Sequence, residues 1–346
     1  MHFTRILLFF VLIGLFSCKK KEVAPECPPS FGDGLLVLNE GLFQHNNSSL
    51  SWFSYSEGNV SNDFFLQKNG RLLGDTGNDL EQYGNKIYVI VTTSSTLEIL
   101  DSEGKLIQQI LMQDNGKAKQ PRNIAFHGAY AFVSCFDGYV DVLDTAKLEI
   151  VQRIKVGLNP DQITEIEGRI LVSNSGGLNA PLIDSTISII NPQTLLEERK
   201  ITVGLNPGTI IGESLDRVHV LSRGNYSDVP AKLHLIDAIN SSIKKTYSYQ
   251  DPGMLSPMEN NYLLSIGNKL VLFDPMADSV VNNQLIDLSA LKTPYGLKYI
   301  PAKQEICLLD ANEYVNTGKL LRYSSSGAFI TSYNTALLPS KVIYIP

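Results

Sequence analysis

Arg223, Asn225 and Tyr226 crowd into one polar stretch, Arg223 to Pro230, that separates two runs rich in Val, Leu and Ile. A guanidinium, an amide and a phenol so placed can meet anionic and amide groups and stack on a planar ring. Two other stretches share this character: Glu40 to Ser49, which carries Glu40 and Asn46, and Asn174 to Ser185, which carries Asn174 and Asn179 among Gly176, Gly177 and Pro181. Each is longer than the roughly two to five residues common between hairpin strands, and long loops on a rigid scaffold are where binding residues concentrate. With Asn78 and Phe136, expected on the same face, these residues form the candidate ligand set. Merely solvated loops are the bland alternative.

Other chemistries find less support. His45, His127, His219 and His234 are scattered, and neither H-E-x-x-H nor G-x-S-x-G occurs. His127 precedes Gly128 at a hairpin turn and His219 alternates with Val218 and Val220, so both are expected to be structural. Asp75, Asp79 and Asp161 supply oxygen ligands that a calcium ion in a central tunnel would accept, but their spacing matches no EF-hand. Cys135 and Cys307 lack a nameable partner base and are expected to pack at strand positions, as are Met254 and Met258 in core or rim. No catalytic residue, metal site or cofactor is assigned.

The elements that must position these residues come from a repeat. Ile154-Lys155-Val156-Gly157-Leu158-Asn159-Pro160 and Ile201-Thr202-Val203-Gly204-Leu205-Asn206-Pro207 lie 47 residues apart and differ at one position. Each unit reads as a Pro-led strand, a strand rich in Ile, Val and Tyr, a strand ending in Asp or Asn, and a last strand. Four strands per unit is a propeller blade. Units are expected to start near Gly77, Pro121, Pro160, Pro207, Pro257 and Pro294, which makes six. The seventh is assembled from both ends: Gly34 to Asn39, Leu50 to Tyr55 and Asp63 to Leu66, joined by the lone Pro-led strand Pro339 to Ile345. The expectation is an all-β, seven-bladed β-propeller over residues 31–346, four antiparallel strands per blade, closed by the C-terminal strand joining the N-terminal blade. The recurrent Asp101, Asp144, Asn191, Asp237 and Asp274 are read as turn residues, since short polar side chains bond the backbone that follows them.

Ahead of the domain, Arg5 precedes an apolar run from Ile6 to Phe16, too short to span a bilayer but sufficient for a signal-peptide core. Leu15-Phe16-Ser17-Cys18 resembles a bacterial lipobox, which implies a signal peptide over residues 1–17, lipidation of Cys18 and a tether over residues 18–30. From Pro28 onward the chain has 25 basic and 33 acidic residues, net −8, and no basic run, which argues against nucleic acid as a partner. Cys27, Cys135 and Cys307 allow at most one disulfide among themselves, so this is no disulfide scaffold.

The repeats resemble the YVTN-type seven-bladed propellers, through their Pro-x-x-Val, Tyr-Val-x-Asn and Val-x-x-Ile-Asp phrases. Leu36-Val37-Leu38-Asn39-Glu40-Gly41, Gly74-Asp75-Thr76-Gly77-Asn78-Asp79, Val172-Ser173-Asn174-Ser175-Gly176-Gly177 and Ser222-Arg223-Gly224-Asn225-Tyr226 are similar to the propeller lipoproteins of Bacteroidetes. Some of these capture cobalamin at the cell surface and hand it to a TonB-dependent outer-membrane transporter. The resemblance implies a non-enzymatic, outer-membrane-anchored protein that binds cobalamin or another bulky nutrient and partners such a transporter. Asp144-Thr145-Ala146, Asp184-Ser185-Thr186 and Asp278-Ser279-Val280 resemble the Bacteroidetes O-glycosylation pattern, which supports export. The cell surface is the preferred location, but Lys19-Lys20-Lys21 stand where surface-exported members usually carry acidic residues, which keeps the periplasmic face open. A protein-interaction scaffold and a metal-dependent lactonase-type hydrolase are the rival functions.

Overall fold

The computed structural model describes residues 32–346, so the expectations for Cys18, Cys27 and the segment around them lie outside the described residues. Seven four-stranded antiparallel sheets form a ring, each inner strand packing on the inner strands of both neighbours. Blade 1 has inner strand Pro339–Ile345 and second strand Gly34–Asn39; blade 2 has Gly77–Tyr83 and Lys86–Val91; blade 3 has Pro121–His127 and Tyr130–Cys135. Blade 4 follows with Pro160–Ile166 and Arg169–Asn174, blade 5 with Pro207–Ser214 and Arg217–Ser222, blade 6 with Pro252–Met258 and Asn261–Ile266, and blade 7 with Pro294–Ile300 and Glu305–Asp310.

Composition across a blade explains the stacking. In blade 4 the second strand and the third, Thr186–Asn191, bury nearly every residue on both faces, whereas the outer strand Leu196–Thr202 carries exposed Glu198, Arg199 and Lys200. The core therefore sits between blades: Tyr88, Ile90 and Ile99 of blade 2 interlock with Ile124, Val133 and Leu143 of blade 3. Each such side chain contributes about 1.5–3 kcal/mol when fully buried.

Ring closure follows the sequence. The C-terminal strand is the inner strand of blade 1, antiparallel to Gly34–Asn39, with Leu35 opposite Tyr344 and Val37 opposite Val342. The five Asx positions also act as expected. Asp144 Oδ1, for example, accepts from the backbone N–H groups of Ala146 and Lys147 at 3.0 and 2.9 Å, and Asp101, Asn191, Asp237 and Asp274 make equivalent turns.

Two expectations are corrected. Blade 6 opens at Pro252, not near Pro257, which lies further along the same strand opposite Tyr262. Pro252-Gly253-Met254-Leu255 has the same Pro-x-x-aliphatic form as Pro160-Asp161-Gln162-Ile163, so the phrase was present but overshadowed by the second proline. The segment Asp63 to Leu66 is not the outer strand of blade 1. It enters the helix Phe64–Asn69, whose buried Phe64 and Phe65 are adjacent rather than alternating, and the short outer strand is Asn59–Ser61.

Candidate functional site

One backbone device recurs in all seven blades. The residue after each second strand donates its N–H to the carbonyl of the residue before the inner strand: Glu40 to Leu338, Thr92 to Thr76, Phe136 to Gln120, Ser175 to Asn159, Arg223 to Asn206, Gly267 to Asp251 and Ala311 to Thr293. Six of those acceptors have positive φ, and Asn159 and Asn206 are the asparagines of the repeated heptapeptides. Asn adopts this left-handed conformation more readily than most residues. A register shift then follows the first residue of every inner strand. Such bulges re-aim side chains. Here they fall at Asn78, Arg122, Asp161, Gly208, Gly253, Tyr295 and Ser340, which with the seven donors of the recurrent bond define one mouth of the central tunnel.

Every blade but the sixth brings a polar group to that mouth. Arg122 Nε lies 3.3 Å from Asp161 Oδ1, and Arg223 Nη1 lies 2.8 Å from Asp161 Oδ2. The Arg122 guanidinium also sits over the Phe136 ring, 4.4 Å from its centroid. Asn78 Nδ2 donates to the Arg122 carbonyl at 2.6 Å, and the Tyr295 hydroxyl donates to Glu40 Oε2 at 2.7 Å. Deeper in the tunnel, Lys341 Nζ is 3.0 Å from Asp79 Oδ1 and 3.5 Å from Asn123 Oδ1, reaching past blade 2 to blade 3. Blade 6 presents only Gly253 and Gly267.

The electrostatics follow from burial and pairing. Burial alone would raise the Asp161 carboxyl, but the Arg122 and Arg223 guanidiniums outweigh it and hold it down at about 2. Burial raises the Glu40 carboxyl against the opposing pull of the Tyr295 hydroxyl bond and of Arg122. Burial also opposes charge on Lys341, yet Asp79 and Glu81 keep its ammonium above the usual range. The mouth is thus a desolvated patch with its charges largely set by internal partners.

Of the nine sequence-predicted residues, Glu40, Asn78, Phe136 and Arg223 converge on this mouth. Tyr226 stands exposed beyond it, and Arg223 is within electrostatic reach of both Tyr226 and Tyr295. Asn46 and Asn179 are exposed on loops; the Asn46 N–H donates to Asp75 Oδ2 at 3.2 Å, and Asn179 Nδ2 to Asn159 Oδ1 at 2.6 Å. Asn174 is corrected: it is fully buried, with its amide spent on Thr186, Ser188 and the Gly157 N–H, so no ligand can touch it. Asn225 braces its own loop by accepting from the Ser227 and Val229 N–H groups.

Asp75, Asp79 and Asp161 are committed to different partners, Asp75 to the Gln44 and Asn46 N–H groups, and do not form a calcium cluster. Among the described residues no group of three or more His, Cys, Asp or Glu side chains is placed to hold a metal ion. His219 is buried among Tyr247, Tyr262 and Phe273, and burial pushes its imidazole down to about 4. Cys135 and Cys307 are buried thiols, both pushed up by burial.

Sequence reasoning missed Arg122, Tyr295 and Lys341, and took Asp161 only as a calcium ligand. Their signal was a column: aligning the blade-opening phrases puts Asn78, Arg122, Asp161, Gly208, Gly253, Tyr295 and Ser340 at one position. Beside the mouth, a cavity of about 430 Å³ lies between blades 3 and 4, lined by Phe136, Lys155, Asn159, Asn179, Asp184 and Lys200 among others. Phe43, Leu178, Leu182, Tyr314 and Val315 are exposed on surrounding loops.

Fold and mouth define a seven-bladed β-propeller, a scaffold suited to ligand binding or protein interaction. The chain belongs to the family described as "Domain of unknown function (DUF5074)", whose model matches residues 33–206 and so ends at the junction of blades 4 and 5. No curated protein matches the sequence. Among solved structures, a quinoprotein alcohol dehydrogenase-like protein from Bacteroides thetaiotaomicron is similar at 14% identity and TM-score 0.66, over 91% of this chain and 79% of that one. The computationally designed Ika8 protein is similar at 10% identity and TM-score 0.59, over 91% of both chains. Hydrazine synthase of Kuenenia stuttgartiensis is similar at 14% identity and TM-score 0.52, over 70% of this chain and 74% of that one. At these identities the likeness is one of fold.

Proposed function

We propose that this propeller captures a bulky polar nutrient, cobalamin foremost, at its tunnel mouth and passes it to a TonB-dependent outer-membrane transporter. The reading places it at the cell surface, anchored to the outer membrane by a lipid on Cys18. The observation that carries it is the convergence of Arg223, Phe136, Glu40 and Asn78 from four separate blades on one mouth. A ligand spanning several blades would meet guanidinium, amide and aromatic groups together, which suits a large ring decorated with amides and a phosphate. No helix among the described residues is long and apolar enough to cross a membrane, so anchoring in this reading rests on Cys18. The test is an absorbance titration of the purified protein with cobalamin. Saturable spectral change at one equivalent supports the reading; its absence at ligand concentrations well above the protein's removes cobalamin from it.

A further inference from the structure

Two cations share one buried anion at the mouth, and each is only partly used. Among the described residues, Arg122 meets Asp161 through Nε alone and Arg223 through Nη1 alone. A guanidinium has five N–H donors, so each has donors left over. The Asp161 side chain is only 4% exposed, whereas the Arg122 and Arg223 side chains are 21% and 35% exposed, so the unused edges reach the mouth and the carboxylate does not. The Arg122 guanidinium carbon sits over the Phe136 ring, and Nε is its one donor that meets a protein acceptor among the described residues. Space for Arg223 is reserved by Gly208: a Cβ there would lie 2.9 Å from the guanidinium carbon.

We infer that Arg122 and Arg223 form an oxyanion clamp, which binds a carboxylate or phosphate group of the ligand between their free edges while Asp161 holds the two guanidiniums in place. The inference rests on the reading that the mouth binds a ligand, and it adds the chemical class of the group recognised. Two guanidiniums against one carboxylate leave one positive charge in excess locally, and Lys341 below is balanced by Asp79. Glu40 is the nearby group of opposite sign; its Oε2 accepts from the Tyr295 hydroxyl, which holds that carboxyl on the blade 7 side of the mouth. Charge-assisted, bidentate pairs of this kind give geometric selection as well as affinity. At blade 6, between Arg223 of blade 5 and Tyr295 of blade 7 around the ring, the corresponding residues are the exposed Gly253 and Gly267, whose missing side chains leave a notch.

The test uses the full chain and two anionic probes, inorganic phosphate and citrate, followed by backbone amide shifts at Phe136, Arg223 and Gly253. Saturable shifts with at least one probe are expected, and the probe that binds tells whether the clamp takes a phosphate or a carboxylate. Arg122→Gln should weaken that binding about tenfold or more, as should raising the salt concentration. Gly208→Ala keeps every charge but displaces the Arg223 guanidinium, and should weaken it similarly even if Arg122→Gln disturbs folding. No saturable shift with either probe, or shifts that both substitutions leave unchanged, would overturn the clamp. Cobalamin binding without any anion effect sinks the clamp alone; anion binding without cobalamin sinks only the choice of nutrient.

Discussion

Blade 6 and the arc from blade 3 to blade 5 share one backbone and differ in almost every side chain at the mouth. In both, the recurrent hydrogen bond forms and the inner strand is bulged at the same place. On that common frame blades 3 to 5 place Arg122, Phe136, Asp161 and Arg223, whereas blade 6 places Gly253 and Gly267. The lesson is that the repeat grammar fixes where a side chain is presented, and leaves its chemistry free. A charged arc and an empty notch can therefore coexist without cost to the ring, which is the asymmetry a ligand site needs.

The strongest way to break the comparison is to remove the frame that both regions share. Deleting Leu338 to Pro346 takes away the inner strand of blade 1, exposes the edge of Gly34–Asn39, and uncovers the buried faces of Val342 and Ile343 partners. Unpaired edges of this kind promote association. The truncated chain is expected to elute as aggregate in size-exclusion chromatography; a monomer with unchanged thermal stability would refute closure by this strand.

A smaller change removes the charged arc's proposed contact with ligand. Replacing Arg223 and Tyr226 together by Ala should weaken cobalamin binding by about 2–4 kcal/mol, the scale of losing a central contact pair. Calorimetry on the variant checks it. Because Arg223 also holds Asp161, the double variant should lose some stability as well, whereas Tyr226→Ala alone, at an exposed ring, should stay within about 0.5 kcal/mol of wild type. Binding that survives the double change would move the site elsewhere on the molecule.

How much of this was legible beforehand differs between frame and site. The blade phrases Pro160-Asp161-Gln162-Ile163 and Pro207-Gly208-Thr209-Ile210 carry the strand order, because a proline, a left-handed asparagine and alternating aliphatics have local backbone consequences. The closing strand was readable for the same reason. Asn174 was misread because its loop is long, yet the residue itself ends a strand and is covered by Thr186, Ser188 and the incoming segment at Gly157; burial is a tertiary property that loop length does not report. Arg122 and Tyr295 were missed because they stand inside strands, and only the bulge turns them toward the tunnel. Once the seven openings are aligned, the column of Asn78, Arg122, Asp161 and Tyr295 stands out, so repeat alignment is a better guide to this site than loop length.

The charged arc should also reveal itself through pH. Asp161 titrates at about 2 in the folded protein, held down by Arg122 and Arg223 despite burial, against about 3.9 for an unperturbed aspartate. A depressed carboxyl contributes stability that is fully present above its unfolded value and disappears as pH falls through its folded value. Asp161→Asn should therefore cost about 2 kcal/mol in urea unfolding at pH 7, with the gap to wild type narrowing between about pH 4 and pH 2. A gap that stays constant through that window would mean the carboxylate's charge contributes nothing to holding the arc.

Filling the notch should have the smallest effect on stability and a selective effect on binding. Gly253 lacks a positive φ, and a Cβ there would approach only the Ser265 hydroxyl, at 2.9 Å. That hydroxyl accepts from the Met254 N–H at 2.6 Å, and it would have to shift to admit the Cβ. Gly253→Ala is thus expected to change unfolding free energy by less than about 1 kcal/mol, the range of a mild steric adjustment offset by a less flexible unfolded chain. Gly253→Leu would add a branched side chain at this position, which lies between Arg223 and Tyr295 around the ring. If a ligand lies across the mouth with its bulk at blade 6, the leucine should weaken cobalamin binding more than it weakens the binding of inorganic phosphate or citrate, since a small ion needs only the arginine edges. Equal losses for large and small probes would show that blade 6 is part of the frame and not part of the site.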